Sequence, residues 1–296
     1  MDSSAGKKSV NSADNCSAPT EKMVHEHHSH AMSGPHNGIQ FAERLYAWES
    51  LVPSANTNRG EPTPEPYSLK WFLGIEQQRL SRHGQWIPRL LEFAKHSGDT
   101  LLGMGAGLGT DWLQYARHGA SVVVCSRSWS QLALVRRNFE LRGLPGRFLH
   151  ARPDCLPLES ASIDVACVSG LFEELDNWEM AVDEIYRVLK PGGKVLAVVS
   201  ARYDIRFWYL TCYPWLRLFN RHDISREGPS FGARQLKRLF GKFAEHRVHK
   251  RHLSRADVPH VWRWLPRPAL ERIMGKALIL KAFKPLSAAM ALQIAA

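Results

Sequence analysis

No stretch of this chain approaches the ~18–20 uninterrupted apolar residues that a membrane-spanning helix requires, and its first residues are polar, without the apolar core of a secretory signal. A soluble, cytoplasmic protein is the expectation. Cysteine is sparse: Cys16, Cys125, Cys155, Cys167 and Cys212 are scattered, with no C-x-x-C pair. That excludes a zinc ribbon or a redox dithiol and leaves free, mostly buried thiols as the expected state. Negative charge is in deficit, with 28 Asp and Glu against 39 Lys and Arg in 296 residues, a formal charge of +11. An excess of this kind suits an anionic surface or ligand, and its position along the chain decides which. Large apolar residues are rare in residues 1–38, which read as a disordered tail. The tail's histidines (His25, His27, His28, His30 and His36) give it incidental metal affinity, and no metal site is expected.

Residues 39–97 read as a helical cap. An apolar stripe at Phe41, Leu45, Trp48 and Val52 has helical spacing, a proline-rich connector follows at 56–66, and helical patterns cover about 67–82 and 85–97. From residue 98 the rhythm changes. Short apolar runs at Thr100–Met104, Ser121–Cys125, Arg147–His150, Ile163–Ser169 and Lys194–Ser200 alternate with helical stretches at 111–118, 131–141 and 178–189, the last ending at Pro191-Gly192-Gly193. That alternation predicts an α/β fold, a mostly parallel sheet with helices on both faces. Beyond Ser200, helical segments at about 204–220 and 231–243, a polar strand at 244–253, a Trp-rich helix at 261–275 and an apolar run at 277–283 can finish the sheet with antiparallel edge strands.

The most informative segment is Leu101 to Asp111, LLGMGAGLGTD, with Gly105, Gly107 and Gly109 where the first strand meets a helix. Residues without Cβ atoms let the backbone turn tightly and approach a ligand, and the helix N-terminus offers N–H groups to an anion. At the carboxyl ends of a parallel sheet this implies a nucleotide-containing cofactor. Tyr186 and Lys190 have the Y-x-x-x-K spacing of short-chain dehydrogenases. However, they lie only about 80 residues past the loop, Glu173 stands where the partner serine belongs, and the segment runs directly into Pro-Gly-Gly.

Further motifs follow in order: Gly119-Ala120-Ser121-Val122-Val123-Val124, then Leu156-Pro157-Leu158 before Ser162-Ile163-Asp164-Val165, then Glu184 to Gly193. With the glycine loop they resemble the class I S-adenosylmethionine-dependent methyltransferases, over about residues 98–201. The resemblance implies a Rossmann-like, seven-stranded methyltransferase domain over 98–296, a cofactor core at 98–201 and an acceptor region at 202–296. It implies S-adenosylmethionine as cofactor, held by Gly103, Gly105, Ala106, Gly107, Gly109, Asp111, Ser126, Arg127, Asp154, Cys155 and Ser169. Three positions depart from the pattern, because Gly103, Ser126 and Arg152 stand where acids are usual. A catalytically weak or inactive binding module on the same fold is therefore the alternative, and a different nucleotide enzyme a more distant one.

The family places acceptor-facing residues just past the fourth strand, which makes Glu173 and Glu174 catalytic candidates; Tyr203, at the exit of the fifth strand, is a second candidate for touching the acceptor, and Tyr67 could fold back over the cofactor. Acids in a helix's first turn also complement its dipole, which gives Glu173 and Glu174 an ordinary structural role as well. Residues 201–296 hold 19 Lys and Arg against 6 Asp and Glu, and the first 200 hold 20 against 22. The basic third is also aromatic, with Phe207, Trp208, Tyr209, Tyr213, Trp215, Phe219, Trp262 and Trp264. That composition suits a small-molecule or lipid-like acceptor and peripheral contact with an anionic membrane. A domain core with a solvated basic face has the same composition. Nucleic acid is disfavoured, since no recognised reading motif accompanies the spread charge.

Overall fold

A computed structural model of the chain describes residues 65–80, 84–172, 175, 177–212, 229–253, 258 and 262–286. The histidine tail, the 41–52 helix pattern, Glu173, Glu174 and residues 213–220 lie outside them. Seven strands form one sheet: β1 (Thr100–Gly105), β2 (Ser121–Ser126), β3 (Arg147–His150), β4 (Ile163–Ser169), β5 (Leu189–Ser200), β6 (Ala244–Arg251) and β7 (Ala277–Phe283). Their order is β3-β2-β1-β4-β5-β7-β6. The first five are parallel, and β7 pairs antiparallel with both β5 and β6. This is the expected mostly parallel sheet with an antiparallel C-terminal edge.

Eight α-helices are described: α1 (Leu69–Arg79), α2 (Trp86–Leu90), α3 (Thr110–Arg117), α4 (Trp129–Glu140), α5 (Trp178–Val188), α6 (Ile205–Cys212), α7 (Ala233–Leu239) and α8 (Arg267–Met274). Alternation along each strand sorts the core onto two faces. Leu102, Met104, Ala166 and Val168 meet Ile185 and Val188 of α5 and Leu236 of α7 on one side. On the other, Leu101, Val122, Val124, Val165 and Cys167 meet Trp112 of α3 and Leu132, Val135 and Phe139 of α4.

Three expectations shift at their ends. The single helix predicted over 85–97 is broken: α2 stops at Leu90 and a 3-10 turn covers Phe93–Lys95, because Glu92 is left-handed at φ 58°. Its carboxylate accepts from Lys95 (3.0 Å), Lys194 (2.8 Å) and Lys281 (2.7 Å), which ties the turn to β5 and β7. The Trp-rich helix begins only at Arg267, with Pro266 as its N-cap. Proline at 268 has no N–H to donate and its ring crowds the carbonyl four residues back, so the helix cannot reach Trp262 or Trp264. Finally, β5 starts at Leu189 and runs through Pro191-Gly192-Gly193, whereas the strand was expected only from Lys194. Cys125 and Cys167 are free and buried, as expected, whereas Cys155 is disulfide-bonded, which corrects the free-thiol expectation there.

Candidate functional site

Strand order reverses between β1 and β4, and an open α/β sheet binds ligands outside the strands' carboxyl ends at such a point. Gly105 ends β1 opposite Ser169, its register partner on β4. Its φ is +123°, and a Cβ there would lie 1.9 Å from the Ser169 carbonyl oxygen. Only glycine lets the two strand ends close together. Gly107 and Gly109 also have positive φ, and Gly109 caps α3. A small, open recess lies here, lined by Arg79, Ala106, Gly109, Thr110, Asp111, Trp112 and Ser169.

The recess contains a buried ion pair. Arg79, from α1, donates to both carboxylate oxygens of Asp111 in the first turn of α3, at 2.7 and 2.5 Å, and both residues are about 5% exposed. Bidentate geometry and near-complete desolvation make this pair strong and also hard to break on one side only. The rest of α1 closes over the loop through Phe72 and Ile75, which pack with Leu108 of the loop and Leu134 of α4. Tyr67, a residue that could fold back over the cofactor, packs against this cluster, its ring 5.4 Å from that of Trp71. Burial raises its phenol pKa.

Gly103 lies within β1 on the α3 face, where a Cβ would sit 2.7 Å from the Trp112 ring. Trp112 thus fills the space an acidic side chain would need, and its indole N–H donates to the Cys167 carbonyl at 3.2 Å. Position 103 is a helix-to-sheet contact here. Ser126, at the end of β2, is also engaged internally: its hydroxyl donates to Gln131 Oε1 at 2.6 Å and accepts from the Ser128 N–H at 3.0 Å.

Beyond β2 and β3, Trp129 stacks on His150, rings 4.1 Å apart and nearly parallel, and His150 Nε2 lies 2.9 Å from the Arg127 carbonyl. The Arg127 side chain is exposed. Arg152 and Asp154 form a two-bond pair at 3.0 and 2.6 Å, and the arginine's hydrogen bond holds the Asp154 carboxyl below its usual range. Cys155 follows directly. Tyr203, past β5, is half exposed, with its ring 5.0 Å from Phe207. The predicted cofactor residues thus gather at the carboxyl ends of β1 to β4, with Gly103 turned to the helix face and Tyr203 reached from β5.

Sequence reasoning missed Arg79, Trp112, Gln131 and Asn138. A signal existed for three of them. Arg79 falls on the same helical face as the buried Phe72 and Ile75 of α1, and Gln131 and Asn138 fall among the buried residues of α4. Polar side chains at core positions of amphipathic helices require a buried partner.

Part of the chain is similar in sequence to known methyltransferases. Residues 101–197 match the methyltransferase domain family. The chain is 34% identical over 110 residues to a demethylmenaquinone methyltransferase of Thermus thermophilus, covering 37% of this chain and 46% of that protein. It is 33% identical over 104 residues to the same-named enzyme of Clavibacter sepedonicus, 34% of this chain and 40% of that one. The chain therefore spans less than half the length of these curated relatives. Among solved structures, an S-adenosylmethionine-dependent methyltransferase from Methanosarcina mazei superposes with a TM-score of 0.48 at 18% identity, over 68% of this chain and 98% of that one. The family match thus covers the glycine loop, strands β1 to β4 and most of β5, about a third of the chain, and over that stretch the chain is similar to methyltransferase domains.

Proposed function

We propose that this protein transfers a methyl group from S-adenosylmethionine to a small-molecule or lipid-like acceptor. The observation that carries the reading is the glycine loop at the strand-order reversal, with the buried Arg79–Asp111 pair facing the same recess. An amino-acid group is a zwitterion, and this pair offers a guanidinium to its carboxylate and a carboxylate to its ammonium. Peptide N–H groups of the loop and the N-terminus of α3 supply further donors. When bound, the cofactor supplies a methyl group made electrophilic by a positively charged sulfur.

The chain's own work is then positioning and exclusion of water. Phe72, Ile75 and Leu108 close one side of the loop with apolar surface. Tyr203, at the exit of β5, is proposed to touch the acceptor, and Glu173 and Glu174 remain the proposed bases if that acceptor must lose a proton. Relatives named for demethylmenaquinone favour a ring-bearing, lipid-like acceptor.

A second reading, a binding module with weak or no catalysis, is favoured by the cofactor's far end. Ser126 is neutral and engaged with Gln131, and Arg152 with its partner Asp154 stands where the family carries an acid. Calorimetric titration with S-adenosylmethionine and S-adenosylhomocysteine separates the cofactor reading from a different ligand; binding of both at micromolar to sub-millimolar levels is expected, and none at millimolar concentration refutes it. Transfer of labelled methyl to a demethylated quinone then separates enzyme from binding module.

A further inference from the structure

We infer that Gln131, on α4, is a positioning residue that turns the peptide groups of the glycine loop toward the ligand. Its side chain is 4% exposed, and its Nε2 donates to the carbonyls of Gly105 at 2.7 Å and Gly107 at 3.0 Å. Seven residues on, two turns along the same face, Asn138 donates to the Leu108 carbonyl at 2.9 Å. Three loop carbonyls are thereby drawn toward α4. No peptide in the described chain is cis, and across a trans peptide the C=O and N–H point in opposite directions. The N–H groups of Ala106, Leu108 and Gly109 therefore point away from α4, and two of these residues, Ala106 and Gly109, line the recess.

The orientation of the Gln131 amide is itself fixed. The Ser128 N–H donates to the Ser126 hydroxyl oxygen, and the Ser126 hydroxyl donates to Gln131 Oε1, which leaves Nε2 facing the loop. Flipping the amide would set its carbonyl oxygen against two other carbonyl oxygens, and that repulsion opposes the flip. Only a side chain with two donors, an acceptor and this length meets all three partners. Methionine fills the same volume and meets none of them. The serine at the end of β2 thus acts on the loop through Gln131, and loop shape is set before any ligand arrives.

This inference rests on the cofactor reading only for the ligand used to test it. The test compares full-length wild type with Gln131→Met, Gln131→Glu and Ser126→Ala, and with Leu236→Ala as a core variant on α7 that does not line the recess. Hydrogen–deuterium exchange over residues 104–111 and the Kd for S-adenosylhomocysteine are measured for each, alongside melting temperature. Gln131→Met is expected to speed exchange in the loop and weaken binding about tenfold or more, Ser126→Ala to do the same to a smaller degree, and Leu236→Ala to lower melting temperature without either effect. For Gln131→Glu, affinity should improve as pH falls, because the protonated acid can donate one hydrogen bond to the loop and the ionised form repels it. Loop exchange and affinity in Gln131→Met no different from those in Leu236→Ala would overturn the inference and leave the cofactor reading standing. If wild type binds no S-adenosylhomocysteine, the cofactor reading fails, and loop exchange alone still decides the role of Gln131.

Discussion

At the scale of single residues, the recess depends on groups that cannot be changed one at a time. Arg79 and Asp111 are both buried and hold each other by two hydrogen bonds, so truncating either strands the other's charge away from water. Arg79→Met and Asp111→Leu are each expected to cost about 3–5 kcal/mol, whereas the double variant, with neither charge, should recover most of that loss. If the pair reads the amino-acid end of the cofactor, the recovered double variant will still bind S-adenosylhomocysteine at least tenfold more weakly. Thermal melts and calorimetry on the same three proteins check both halves. Equal affinity in the double variant and wild type would reduce the pair to a packing device. The buried thiols take no part in this chemistry: burial pushes Cys125 up to about 12 and Cys167 well above its ordinary value, so both stay protonated and poorly nucleophilic at neutral pH.

At the scale of elements, the Glu92 turn anchors the segment before β1 to the far edge of the sheet. Burial alone would raise its carboxyl, yet hydrogen bonds from Lys194, Lys281 and Lys95 outweigh burial and hold it well below the usual carboxylate range. A carboxyl depressed by folding contributes stability that is complete above its unfolded value of ~4.3 and is lost as pH falls from there toward the folded value. Glu92→Gln should lower the melting temperature by several degrees at pH 7, by somewhat less near pH 3 and by much less only near pH 2, a trend that melts across that range will show. The same turn explains one limit of the sequence. Apolar spacing made 85–97 look like one helix, and nothing local announces that three lysines, two of them about 100 and 190 residues away, will pull the backbone left-handed at Glu92. Strands read well for the converse reason: β3, β4 and β7 were bounded by their own apolar runs and turn residues. The candidate site was half legible. Its glycines are local signals, but the loop carbonyls that Gln131 meets and the carboxylate that Arg79 meets lie more than 20 residues away in the chain, and only the fold brings them together.

At the scale of the whole molecule, charge and exposed aromatic surface fall together in residues 201–296, which hold 19 Lys and Arg against 6 Asp and Glu. Tyr203, Phe207 and Ile273 are each more than a third exposed, and Trp264 is 79% exposed between Arg263 and Leu265. Trp208 joins Phe207 to Trp262 in a chain of ring contacts, which sets an aromatic strip beside the helices that carry Arg206, Arg267 and Arg272. No described helix is long and apolar enough to cross a bilayer. A basic, aromatic face of that kind gains both Coulombic attraction to anionic headgroups, about 1 kcal/mol per Lys or Arg near the surface, and burial of indole rings at the headgroup level. A lipid-like acceptor would then be taken directly from the bilayer, from the side on which Tyr203 leaves β5. Liposome flotation is expected to recover the protein with vesicles containing anionic lipid and to leave it behind with zwitterionic ones. Trp264→Ala should cut that recovery at unchanged charge, and raised salt should cut it at unchanged apolar surface. Equal recovery with both lipid compositions would assign the basic third to a solvated face and the acceptor to free solution.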